Sequence, residues 1–88
     1  MIKVKTIKQT CGGFPSQWEG ELEDGRAVYI RFRWGRLTVS AGDSIEDAIA
    51  NHDGNILAVA VSDSLDGVMD ERELKIHTKG VLIFPEEN

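Results

Sequence analysis

Residues 27–42, AVYIRFRWGRLTVSAG, carry the side chains best suited to chemistry with an anion. Arg31, Arg33 and Arg36 supply permanently charged, planar guanidiniums, interleaved with Tyr29, Phe32 and Trp34. Guanidiniums grip phosphates or carboxylates, and aromatic rings stack on bases, so this mixture is the vocabulary of a nucleic-acid surface. Strand alternation divides it, however. Val28, Ile30, Phe32 and Trp34 fall on one face; Tyr29, Arg31 and Arg33 fall on the other. The candidate partner-binding set is therefore Tyr29, Arg31, Arg33 and Arg36. Against it stands a solvated sheet face in which Arg31 and Arg33 pair across strands with Glu19 and Glu21, each pair worth ~0.2–1 kcal/mol. Both tryptophans, Trp18 and Trp34, are expected in the core.

A second stretch, SDSLDGVMDERE at 62–73, has the chemistry of a hard-cation loop. Ser64, Asp66, Asp70 and Glu73 stand where an EF-hand loop places oxygen ligands, and Gly67 stands at its sharp bend. Ser62 occupies the first position, where a carboxylate is needed, and the segment before it reads as a strand rather than a helix. Helix capping by Asp70 and Glu73 accounts for the same residues. Weak calcium binding is the metal alternative.

Three residues remain as possible catalysts: Cys11, His52 and His77. Cys11 sits in a glycine-rich loop with no hydrolase signature around it, and each histidine suits a helix C-terminus, where the dipole favours it. There is no phosphate loop, nucleophile elbow or paired-histidine motif. The expectation is a protein that is not an enzyme and uses no cofactor.

The elements that position these residues follow from alternation and turn chemistry. Residues 2–9 alternate as a strand; CGGFPSQ breaks regularity as a loop. WEGEL, AVYIRFRW and LTVSA form three further strands. Directly paired residues on antiparallel strands point to the same side. Bringing Trp18 and Leu22 onto the face of Val28 and Ile30 requires an odd loop, which 23–25 (EDG) supplies with glycine in its left-handed position. The next hairpin requires an even loop, assigned to Gly35-Arg36 as a type II′ turn. Asp43 and Glu46 mark one helix start, with Ile45, Ala48 and Ile49 as its stripe; Asp70 and Glu73 mark another, with Gly80 past its end. NILAVAV is apolar on both faces and reads as a strand buried on both sides. VLIFP is a last short strand ended by Pro85. The expected fold is α+β: a mainly antiparallel sheet built on a three-stranded meander at about 17–41, with two short helices packed on its apolar face. A single domain spans 1–84, and 85–88 form an acidic tail.

The chain has 88 residues, 41% hydrophobic and 28% charged, with a net charge of −5. That is one soluble globular domain with a thin margin of stability. The acidic balance is opposite to that of most phosphate-gripping proteins, which makes nucleic acid the disfavoured partner. One cysteine excludes an intramolecular disulfide. The start lacks the apolar core of a signal peptide, and ILAVAV is too short to span a bilayer. The expected location is the cytoplasm, of its own cell or of an infected host, with no membrane partner.

PSQWEGELEDGRAVYIRFRWGRLTV resembles a pattern of small uncharacterised proteins of bacteria and their phages, with shared Gln-Trp-Glu, Asp-Gly-Arg and Tyr-x-Arg-aromatic-Arg-aromatic-Gly elements. LDGVMDERELKIHTKGVLIFP is similar to the end of such proteins. The resemblance implies no activity; it implies a phage or mobile-element origin and a role in binding host or phage protein. The leading functional expectation is a small non-enzymatic protein that binds another protein or itself. The alternatives are a nucleic-acid-binding module using Tyr29, Arg31 and Arg33, and weak calcium binding by residues 62–73. The state of the arginines separates the first two: paired with Glu19 and Glu21, or left beside Arg36.

Overall fold

Strand follows strand through the first half of the chain, because short alternating segments are separated by tight turns. The computed structural model describes residues 1–12, 16–61 and 69–85. Its elements are β1 (Ile2–Gly12), β2 (Ser16–Leu22), β3 (Ala27–Arg33), β4 (Arg36–Gly42), α1 (Ile45–Ala50), β5 (Leu57–Ala60), α2 (Glu71–His77) and β6 (Leu82–Ile83). Strands take 51% and helices 17% of the described residues. The fold is thus mostly β. It is one six-stranded mixed sheet in the order β5-β4-β3-β2-β1-β6, curled into a half-barrel. This corrects the expected α+β layout of a three-stranded meander with two helices on its apolar face. β6 pairs parallel to β1, through Ile2–Leu82 and Lys3–Ile83, while the other neighbours run antiparallel.

The parity argument holds at the first hairpin. Trp18 faces Ile30 and Gly20 faces Val28, with Glu23-Asp24-Gly25 as the three-residue loop and Gly25 at φ 93°. Leu22 donates to Arg26 O at 2.8 Å, and Gly25 donates back to Leu22 O at 3.0 Å. At the second hairpin the register differs by two residues from the expected one. Arg33 faces Arg36 and Phe32 faces Leu37, so the loop is Trp34-Gly35, not Gly35-Arg36. Both loop residues have positive φ, 53° and 72°, as a type I′ turn requires. An even loop of either placement preserves the faces, which is why parity could not separate them. The consequence is large for Trp34. It leaves the expected core position and stands 63% exposed at the hairpin tip.

The apolar face of β1–β4 forms the core. Val4, Trp18, Leu22, Val28, Ile30, Phe32, Leu37 and Val39 pack with Met69, Leu74 and Leu82. Met69 and Leu74 bring α2 onto this face, and the approach is fixed by Ser16. The buried Ser16 hydroxyl accepts from Met69 N at 2.9 Å and donates to Gly12 O at 3.3 Å. Asp70 caps α2, its carboxylate accepting from Glu73 N at 2.8 Å.

The other helix is not on the apolar face. Ser40, on the Tyr29 side of the sheet, donates its hydroxyl to Ala48 O at 2.8 Å, and a Cβ on Gly42 would lie 2.7 Å from Ala48 N. α1 therefore rests on the Tyr29–Ser40 face and buries both residues. Its cap is Ser44, which accepts from Asp47 N, rather than Asp43. β5 also departs from expectation: it is an edge strand, and Ala58, Val59 and Ala60 are exposed. An apolar run at an edge has a neighbour on one side alone, so its composition reports nothing about coverage.

The curl has a local cause. β1 carries register shifts between Val4 and Thr6 and between Gln9 and Cys11, and such bulges bend a strand and sharpen its twist. The first shift lays the β1 backbone onto Gly20, where an added Cβ would come within 2.0 Å of Thr6 O. Glycine is required there because the intruding atoms are main chain.

Candidate functional site

The type I′ turn at Trp34-Gly35 sets the geometry. By alternation Arg31 and Arg33 leave β3 on the side opposite the core, and Arg36 starts β4 on that same side. Arg33 and Arg36 are directly opposed, a like-charge pair that costs ~0.2–1 kcal/mol. Arg31 lies across from Gln17 on β2 and Thr38 on β4. Arg31, Arg33, Arg36 and Thr38 line a cleft of about 270 Å³, with Trp34 at one wall and His52 and Asp53, from the turn after α1, at another.

The arginines are not neutralised as the sequence led us to expect. Glu19 is opposed by Lys8 and Tyr29, and Glu21 by Thr6 and Ala27, so neither carboxylate stands across from Arg31 or Arg33. Among the described residues the ion pairs are Arg26–Asp24 and Lys75–Glu71, with the His52 imidazole 3.8 Å from Asp53, and none of these contacts involves Arg31, Arg33 or Arg36. Arg26 is held away in its own turn. Its backbone N–H, then its guanidinium, holds the Asp24 carboxyl below its ordinary range. The Arg31 Nε is buried and has no hydrogen-bond partner among the described residues. A buried donor without an acceptor costs free energy until an acceptor arrives.

Trp34 is the other distinctive residue. Its φ of 53° is the left-handed region, rare for a bulky side chain. Strain of this kind costs ~1–3 kcal/mol and collects at functional positions. The guanidinium carbon of Arg33 lies 4.2 Å from the Trp34 ring centroid, so the ring is stiffened by a cation while much of it stays exposed.

Tyr29, the remaining member of the sequence-derived set, does not reach the cleft. It is 5% exposed, covered on the α1 side, and burial raises its hydroxyl pKa above the ordinary 10.0. Arg31 opposes that rise; Glu19 and Cys11 add to it. His52, Asp53 and Thr38 join the cleft without having been singled out for it. No turn signal in the sequence pointed to Trp34, because a type I′ loop favours asparagine, aspartate or glycine at its first position.

The other candidates do not converge. Cys11 lies on β1, with β2 and β3 between it and β4, and does not line the arginine cleft. His52 lines that cleft, whereas His77 ends α2, which packs on the opposite face. Ser64 and Asp66 of the calcium alternative lie outside the described residues. Of the other two, Asp70 serves as the α2 cap and Glu73 supplies the N–H it accepts. Among the described residues no cluster of three or more metal-ligating side chains forms, and no helix is long and apolar enough to cross a membrane. In comparisons with family models, curated proteins and solved structures the chain gives no match.

Proposed function

We propose that the protein is a non-enzymatic binding protein that takes up single-stranded nucleic acid at the Trp34 hairpin. Arg31, Arg33 and Arg36 neutralise phosphates, and the exposed Trp34 ring stacks a base. The observation that carries this reading is the cluster of three guanidiniums around one exposed aromatic ring, none of them ion-paired among the described residues. Alternate pairing of charge and ring is how single strands are held without sequence preference, and stacking contributes ~1–3 kcal/mol per base. The net charge of −5 opposes approach of a polyanion. Among the described residues Asp53 is the one carboxylate lining the cleft with these arginines, and that segregation offsets the repulsion locally. Binding is therefore expected to be modest and strongest at low salt.

The exposure of Trp34 favours one second reading, a protein partner that buries the ring as an anchor and presents carboxylates to the arginines. A fluorescent oligothymidylate, titrated with the protein at low salt and followed by anisotropy, separates the two. The Arg31→Ala/Arg33→Ala double variant should bind it at least about tenfold more weakly, and binding should quench Trp34 fluorescence. A double variant that binds the oligonucleotide no worse than wild type overturns the nucleic-acid reading.

A further inference from the structure

β5 and its continuation spell Leu57-Ala58-Val59-Ala60-Val61, with no charge and no proline, along one outer edge of the sheet. Its register with β4 is unbroken, from Arg36–Ala60 to Val39–Leu57, so no bulge turns the edge away. Proteins that remain single copies protect such edges with lysine, proline, bulges or a covering element. Ala58, Val59 and Ala60 are exposed instead.

We propose that β5 pairs antiparallel with β5 of a second copy of this chain, about a two-fold axis at Val59. Val61 donates to Gly35 O at 2.7 Å. Alternation along an antiparallel ladder then directs the main-chain groups of Leu57, Val59 and Val61 toward β4, and those of Ala58 and Ala60 outward. The segment reads nearly the same in both directions from Val59. In the pair, Ala58 faces Ala60 of the second copy, and their outward N–H and C=O groups meet as two closely spaced pairs. Val59 faces Val59 in the position where side chains approach nearest, and Leu57 faces Val61. This self-matching sequence points to a second copy as the occupant; an unrelated strand has no reason to share it.

Directly opposed residues share a face, so the joined sheets continue one another on both sides. Ala58 and Ala60 lie opposite Thr38 and Arg36, on the cleft side, and are too small to obstruct it. The two β4 strands stand three strand spacings apart, about 14 Å, which places both arginine clefts on one surface. The pairing goes beyond the nucleic-acid reading and does not depend on it.

The test uses the full chain without nucleic acid. Sedimentation equilibrium from about 10 µM to about 1 mM, the range for a contact this small, should show the mass rising from 9.7 kDa toward twice that value. Ala60→Pro removes an outward donor and spares the β4 ladder, so it should keep the wild-type circular dichroism and stay at the monomer mass throughout. Amide exchange gives a second measurement that needs no variant. The Ala58 and Ala60 amides should exchange at least about tenfold more slowly at the high concentration than at the low one, and Val59 should not change in that way. A monomer mass at the highest concentration with unchanged exchange overturns the proposal. So does a folded Ala60→Pro variant that still doubles its mass.

Discussion

Replacing Gly20 with alanine adds one methyl group where β1 crosses β2. In the wild-type geometry that carbon would lie 2.0 Å from Thr6 O, 2.9 Å from Thr6 C and 3.0 Å from Ile7 Cα. The first distance falls about 1 Å short of the closest approach real side chains make, and all three atoms are main chain. No rotamer change relieves the contact. β1 must move off, which weakens the Thr6–Glu21 and Ile7–Gly20 pairs and loosens Val4 over Leu22. Overpacking of this kind costs ~1–3 kcal/mol or more. A chain of this length has about 4–13 kcal/mol of total stability, so the loss is a sizeable share of it. It should lower the melting temperature by roughly 5–20 °C. Gly12→Ala is the matched control, since a Cβ there meets nothing within 4 Å among the described residues. It should be neutral or stabilise by ~0.4–1 kcal/mol through reduced unfolded-state freedom. Thermal and guanidinium unfolding followed by circular dichroism measure both. Equal melting of Gly20→Ala and wild type, with the spectrum unchanged, would mean that β1 does not rest on Gly20 and that the curl has another origin.

Further expectations concern the cleft, the α2 contact and the buried phenol. With three phosphate contacts on a single strand, log K should fall with log salt at a slope near −2, or about twentyfold between 50 and 200 mM; a flat salt response in the anisotropy titration contradicts arginine–phosphate contact. Ser16→Ala leaves the Met69 N–H buried without an acceptor and should cost ~1–3 kcal/mol in denaturant unfolding, whereas a loss under about 0.3 kcal/mol would show the hydroxyl to be dispensable. The single tyrosine, Tyr29, should ionise above pH 10.0 in the folded protein, followed by phenolate absorbance. Because its folded pKa is raised, its contribution to stability is fully present below the unfolded value and is lost as pH rises through the folded one. Folded-state titration at or below the ordinary value would contradict its burial under α1.

Much of the strand layout was legible because it rests on local rules. Alternation separated the faces of β3, and the odd loop at 23–25 followed from keeping Trp18 and Leu22 with Val28 and Ile30. Parity stops at faces. It could not distinguish a loop at Trp34-Gly35 from one at Gly35-Arg36, and that two-residue slip moved Trp34 from core to solvent. The position of α1 was hidden for a different reason. Ala48 against Ser40 and Gly42 is contact between small residues, and a stripe containing Ile45 and Ile49 directs attention to the apolar face instead. The expected double burial of β5 failed because composition cannot tell a central strand from an edge awaiting a neighbour. The closure of the sheet by β6 on β1, and the role of Gly20 in its curl, depend on contacts distant in sequence, which no window of the chain contains.

The parallel pairing of β6 with β1 has a consequence for synthesis. Ile2 waits for Leu82, which leaves the ribosome 80 residues later. Until then the nascent sheet has its outer β1 edge open, and Leu74 and Met69 have not closed over Trp18. Bringing strands this far apart together carries a loop-closure cost near 4 kcal/mol, set against a β6 of two residues. A stalled or prematurely terminated chain would thus keep its meander yet expose apolar surface along the unfinished side. A strand of two residues at 82–83 thus decides whether the β1 edge is paired or left open.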